Sequence, residues 1–172
     1  MKNNPAAEHL VAKLIKVLSE EMQMYNELLL VLRKKQSSII EGKLEDLQQA
    51  VIDEQAVLKK TEKIDKIRSQ SMEEINKALN QDEEVRTLSQ LIQLVESTYA
   101  ERLSDLHVSL QKIVQEVLLT NDENRYLLDY SIRFVREAAR ELIKSSDQFP
   151  VYSASGKGQD ISVQSSLIEG KI

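Results

Sequence analysis

Hydrolytic and metal chemistry is usually built from histidine, cysteine and carboxylate side chains, and this chain is poor in the first two. Its 172 residues hold two histidines, His9 and His107, and no cysteine. A disulfide framework and a thiolate metal site are therefore excluded. A carboxylate-bridged metal centre inside a helical bundle needs Glu-x-x-His spacing. Ala6 and Ser104 occupy the positions three residues before the histidines. A phosphate-cradling loop needs clustered glycines, yet only Gly42 precedes residue 150. The acidic pairs Glu73-Glu74 and Glu83-Glu84 read as solvated helix faces, and His107 as a rim or surface residue. The expectation is a protein that is no enzyme, with no catalytic residue, no metal and no cofactor. A metal-dependent bundle enzyme is the remotest of the function classes considered.

What remains chemically distinctive is a pair of amides, Asn121 and Asn124, in "TNDENRYLLDYSIRFV". They interrupt an otherwise apolar helical row. One reading is register: a buried Asn costs stability but excludes misaligned helix pairings. The other is recognition, since an amide offers both a donor and an acceptor to a docking helix. The residues alone favour register. An unsatisfied buried amide costs about 1–3 kcal/mol, so either reading requires a partner.

The elements that carry this pair are helices. Prolines occur only at Pro5 and Pro150, so helix breakers are almost absent between them. Ala7, Val11, Leu14, Leu18, Met22, Tyr25, Leu29, Leu32, Gln36 and Ile39 follow each other in steps of three or four. Leu10, Val17, Met24, Leu28 and Val31 widen this stripe to the breadth of a bundle helix. Glu41-Gly42-Lys43 is a turn, because Gly tolerates the left-handed conformation that ends helices.

A second helix is expected on Leu44, Leu47, Val51, Leu58, Thr61, Ile64, Ser71, Ile75 and Leu79. Glu54 and Arg68 fall on or near that stripe, as on a helix partly exposed or facing a partner. Asn80 with Glu83, or Asp82, marks the next helix start. One row then runs from Val85 through Leu88, Ile92, Val95, Tyr99, Leu103, Leu106, Leu110, Ile113 and Val117. It passes the asparagines and resumes at Leu128, Ile132, Val135, Ala139 and Leu142. The absence of Gly and Pro argues for one continuous helix. A rival reading starts a helix at Thr120, with Glu123 closing its capping box.

These patterns predict an all-α fold: an antiparallel bundle of three to four long helices over residues 1–149, and a flexible C-terminal tail over 150–172. The tail holds three of the four glycines, and its apolar residues are scattered. They cannot offset the ~1–2 kcal/mol per residue that ordering costs.

The net charge of −5, with no basic stripe, argues against nucleic acid. The longest apolar run, Leu28 to Leu32, is far short of the roughly 20 residues that span a bilayer. Lys13 and Lys16 break the apolar N-terminal stretch, which is therefore no signal-peptide core. A soluble intracellular protein is expected.

Asn121-x-x-Asn124-x-x-Leu127-Leu128, followed by an apolar helix, resembles the signature block of the FlgN family of flagellar export chaperones. The Leu-rich helix, the turn at Gly42, Leu44, Leu47, Glu54 and Arg68 resemble that family's first hairpin. Pro150-x-Tyr152-x-Ala154-x-Gly156 is similar to its short tyrosine-containing tail. The resemblance implies a cytoplasmic chaperone. It would bind hook-filament junction proteins and deliver them to the gate of the flagellar type III export apparatus. It implies a cargo surface at Asn121, Asn124, Leu127, Leu128, Ile132 and Val135. It places Tyr152, with Ala154 and Gly156, at the gate-contacting position. The chain would be a monomer or a weak homo-oligomer, without membrane insertion. The competing class is a structural coiled-coil or tethering protein that self-associates.

Overall fold

A computed structural model describes residues 5–79 and 85–146. The expected helix start at Asn80, Asp82 and Glu83 lies outside them, as does everything from Pro150 onward, including Tyr152, Ala154 and Gly156.

Helix α1 spans Pro5–Glu41. It ends at Gly42, whose φ of 68° lies in the left-handed region. The Gly42 amide donates to the Ile39 carbonyl at 3.3 Å and the Lys43 amide to the Ser38 carbonyl at 3.0 Å. This double bond pattern satisfies the last carbonyls of the helix and reverses the chain. Helix α2, Leu44–Leu79, then returns along α1.

The pairing of α2 with α1 differs from the expected stripe. Ala50, Val57, Ser71 and Ile75 are the buried positions of α2. Leu44, Val51 and Leu58 are exposed at 72%, 37% and 42%. The small Ala50 and Ser71 let the helices approach closely, which rotates the larger side chains outward. Both charged interruptions of α2 meet partners on α1. Glu54 pairs with Lys35 at 2.8 Å, and Arg68 pairs with Glu21 at 3.4 Å.

Beyond α2, Asn76 holds the backbone of Val85 at both ends. Its amide nitrogen donates to the Val85 carbonyl and its oxygen accepts from the Val85 amide, each at 2.9 Å. Helix α3, Leu88–Leu94, opens with a capping box between Thr87 and Gln90. The row beginning at Val85 was expected to form one helix; instead it breaks. Val95 is extended (φ −87°, ψ 168°), and α4 begins at Ser97. A β-branched side chain beside Ser97 and Thr98, whose hydroxyls favour caps over helix interiors, accounts for the interruption. From Ser97 the chain stays helical to Ser146, so α4 is continuous through both asparagines and no helix starts at Thr120.

The three long helices form an antiparallel bundle, with α3 a short link. Two apolar clusters hold it. One joins Val11, Leu14, Ile15 and Leu18 to Ile75, Val85, Leu91 and Leu103. The other joins Leu28, Leu29 and Leu32 to Val57, Ile113 and Val117. The start of α1 thus meets the end of α2 and the start of α4, which fixes an up-down-up order. The described chain divides into two compact units, one to Asp129 and one from Tyr130, and α4 contributes to both.

Candidate functional site

Helix α4 carries the amide pair, and the two members differ. Asn124 is fully buried. Its side-chain amide donates to the Leu32 carbonyl of α1 at 2.8 Å, across the bundle. Its Oδ1 is buried and meets no donor among the described residues. Asn121, about 60° away around the helix axis, is exposed. Beside this bond, Gln36 donates to the Glu123 carboxylate at 2.9 Å, and Arg33 pairs with Glu116 at 3.4 Å. These contacts set α4 against α1.

The other expected cargo residues grade from half-buried to open. Leu127 and Leu128 are half-buried in the first unit. In the second unit Ile132 and Val135 are exposed at 47% and 64%, and Tyr130 and Phe134 are exposed beside them. Along α4, Leu103, Ile113, Val117 and Asn124 are buried in the first unit, while Ile132 and Val135 are open in the second.

Sequence reasoning missed a polar layer between the two apolar clusters. Glu21, on α1, is buried. Arg68, from α2, reaches it through Nε and also hydrogen-bonds Asp65. A cleft of about 320 Å³ opens here, walled by Leu18, Met72, Leu110 and Val114 and rimmed by Tyr25, Arg86 and His107. Burial pushes the Glu21 carboxyl above its ordinary range; Arg68 opposes this and Asp65 adds to it. Burial also raises the Tyr25 phenol, helped by Glu21 and Asp65 and opposed by Arg68. The one signal available in the sequence was Arg68 on the apolar stripe. Glu21, one of two adjacent carboxylates between Leu18 and Tyr25, gave none.

No group of three or more His, Asp or Glu side chains among the described residues is placed to hold a metal ion. No helix of the described residues is long and apolar enough to cross a membrane.

The first unit is a helical bundle fixed by side-chain contacts, and in the second unit α4 exposes the apolar side chains of Tyr130, Ile132, Phe134 and Val135. The family model described as FlgN protein matches residues 1–159. The chain belongs to the FlgN family, the flagellar export chaperones. No curated protein and no solved structure matches it.

Proposed function

We propose that this chaperone acts in the cytoplasm, where it binds hook-filament junction proteins and delivers them to the export gate. Family membership supports the general role, and the exposure of Tyr130, Ile132, Phe134 and Val135 supports the binding mode. An amphipathic helix buries its apolar face when laid against such a surface. A terminal helix of the cargo is the proposed occupant. It remains soluble and unassembled while its apolar face is covered.

Asn124 takes the register role in this reading. Its amide faces Leu32 inside the bundle, so it aligns α4 on α1 rather than touching cargo. The segment 150–172 is proposed as a separate docking element for the export gate, with Tyr152, Ala154 and Gly156 as its contact residues. A large amphipathic aromatic such as Tyr152 is suited to anchor a short segment.

A pull-down from flagellated cells with the tagged chain tests the reading. Recovery of a hook-filament junction protein is expected. Recovery of none, with the tagged protein folded and abundant, would contradict it.

A further inference from the structure

In the second unit, α4 sorts its charges by edge. Ile132, Val135, Ala139 and Leu142 follow one another in steps of three and four. They lie within about 80° of the helix circumference and form one exposed face. On one side come Arg136 and Arg140, about 80° and 120° from the centre of that face. At about the same angles on the other side come Ala138 and Phe134, and no basic residue. Arg136 and Arg140 are exposed, and neither has a hydrogen-bonding or ion-pairing partner among the described residues. Their spacing of four sets two like charges side by side, which on an isolated helix is destabilising. Glu141, beyond Phe134, is already neutralised by Lys144 at 3.0 Å, and Glu137 lies opposite the face. No anionic edge therefore competes with the arginine edge.

We propose that this face accepts an amphipathic helix of a partner protein that carries carboxylates, spaced by four, along one edge of its own apolar stripe. The proposal rests on the cargo role of α4 given above and adds a rule of selection to it. Laid along α4, such a helix covers Ile132, Val135 and Leu142 with its apolar stripe. Both helices rise 1.5 Å per residue, so a carboxylate at every fourth position keeps step with Arg136 and Arg140. A guanidinium takes a carboxylate through two parallel hydrogen bonds, which gives the pairing direction as well as charge. A bilayer surface matches this helix less well. A helix lying in a lipid interface has a polar face rich in Lys and Arg. Here Glu137 and Glu141 share the polar face, and one edge of the apolar face has no basic side chain.

Apolar contact and charge then divide the work. The apolar face supplies most of the attraction but accepts any amphipathic helix of the right width. Arg136 and Arg140 choose among those helices, because a basic edge laid against them is repelled. Exposed charge pairs act chiefly on encounter and specificity, and salt screens them.

Fluorescence anisotropy of the full chain with three labelled helical peptides tests the proposal. The peptides share one leucine stripe and differ at two edge positions spaced by four, which hold Glu, Gln or Lys. At low salt the wild type should bind the Glu peptide at least about tenfold more tightly than the Lys peptide, with the Gln peptide between them. The gap should close towards about 1 M salt. Arg136→Glu combined with Arg140→Glu should reverse the order and keep the wild-type circular dichroism spectrum. Ile132→Asp should lose all three peptides. Equal binding of the three by wild type, lost in Ile132→Asp, would overturn the charge rule and leave the apolar cargo surface standing. Binding of none would remove the surface and the rule together. Vesicles of phosphatidylcholine with and without phosphatidylglycerol form the last arm. Capture by the anionic vesicles that the double variant loses, with no preference among the peptides, would assign the arginines to a lipid headgroup and overturn the proposal.

Discussion

The side-chain amide of Asn124 donates to the main-chain carbonyl of Leu32 at 2.8 Å, joining two helices whose residues are 92 apart in sequence. The bond is directional, so it fixes where α4 lies along α1. It also has a cost, because Oδ1 of the same side chain is buried and meets no donor among the described residues. A buried polar atom without a partner costs about 1–3 kcal/mol, more than a typical net hydrogen bond returns. Asn124 therefore trades stability for alignment.

Replacing Asn124 with leucine should raise the unfolding free energy by about 1 kcal/mol, since the orphaned acceptor disappears and apolar contacts form. Urea denaturation followed by circular dichroism measures this. A clear loss of stability would mean that the bond to Leu32 outweighs the unpaired oxygen.

Gly42 gives the simplest local test. A Cβ placed there would meet nothing within 4 Å, so space is not limiting. The positive φ is. Gly42→Ala should therefore destabilise the chain by about 1–2 kcal/mol, the cost of a left-handed non-glycine residue. An unchanged denaturation midpoint would show that the turn relaxes without strain.

Glu21 links stability to pH. Its folded-state carboxyl titrates above the ordinary value because burial disfavours the charge. For a raised carboxyl the folded state binds the proton more tightly than the unfolded state does. This contribution is present below the unfolded value and is lost as pH rises through the folded one. Glu21→Gln removes the buried charge, while Arg68 keeps its bond to Asp65. The variant should melt higher than wild type at neutral pH, with the difference shrinking as pH falls through the carboxylate range. Thermal melts from pH 4 to pH 8 test this. A variant that melts lower than wild type at pH 7 would show that the ion pair with Arg68 outweighs the cost of burial.

The helix bodies were legible because burial repeats with the helix period, and Gly42 was legible because a lone glycine between two such rows has one obvious use. The break at Val95 was not. Ile92, Val95 and Tyr99 keep steps of three and four across it, so an apolar row steps over an interruption that the backbone makes. The burial of Asn124 against the exposure of Asn121 depends on about 60° of rotation, finer than a stripe resolves. Glu21 was invisible for another reason. A carboxylate is ordinarily solvated, and only the arrival of Arg68 from another helix makes its burial tolerable. On α2 the sequence row mixed two faces. The small residues Ala50 and Ser71 pack inward, while the larger Leu44 and Leu58 remain outside.

Tyr152→Ala should separate the proposed gate contact from cargo binding. Helicity and cargo affinity should match wild type, while binding to the cytoplasmic domain of the export gate weakens and cells export less junction protein. An aromatic anchor often contributes 2 kcal/mol or more, roughly a thirtyfold loss on truncation. Normal export together with unchanged gate affinity would remove Tyr152 from the proposal.

Isothermal calorimetry of the purified chain against the junction proteins of the same cell tests the central claim most directly, with wild type and Ile132→Asp compared side by side. Ile132 is exposed at 47%, so the variant should keep the wild-type circular dichroism spectrum and melting temperature. The wild type should bind one junction protein at micromolar affinity or tighter, about −8 kcal/mol or better, and a folded Ile132→Asp chain should show no measurable binding. A wild-type chain that binds no junction protein, or a folded Ile132→Asp chain that binds as wild type does, would contradict the account.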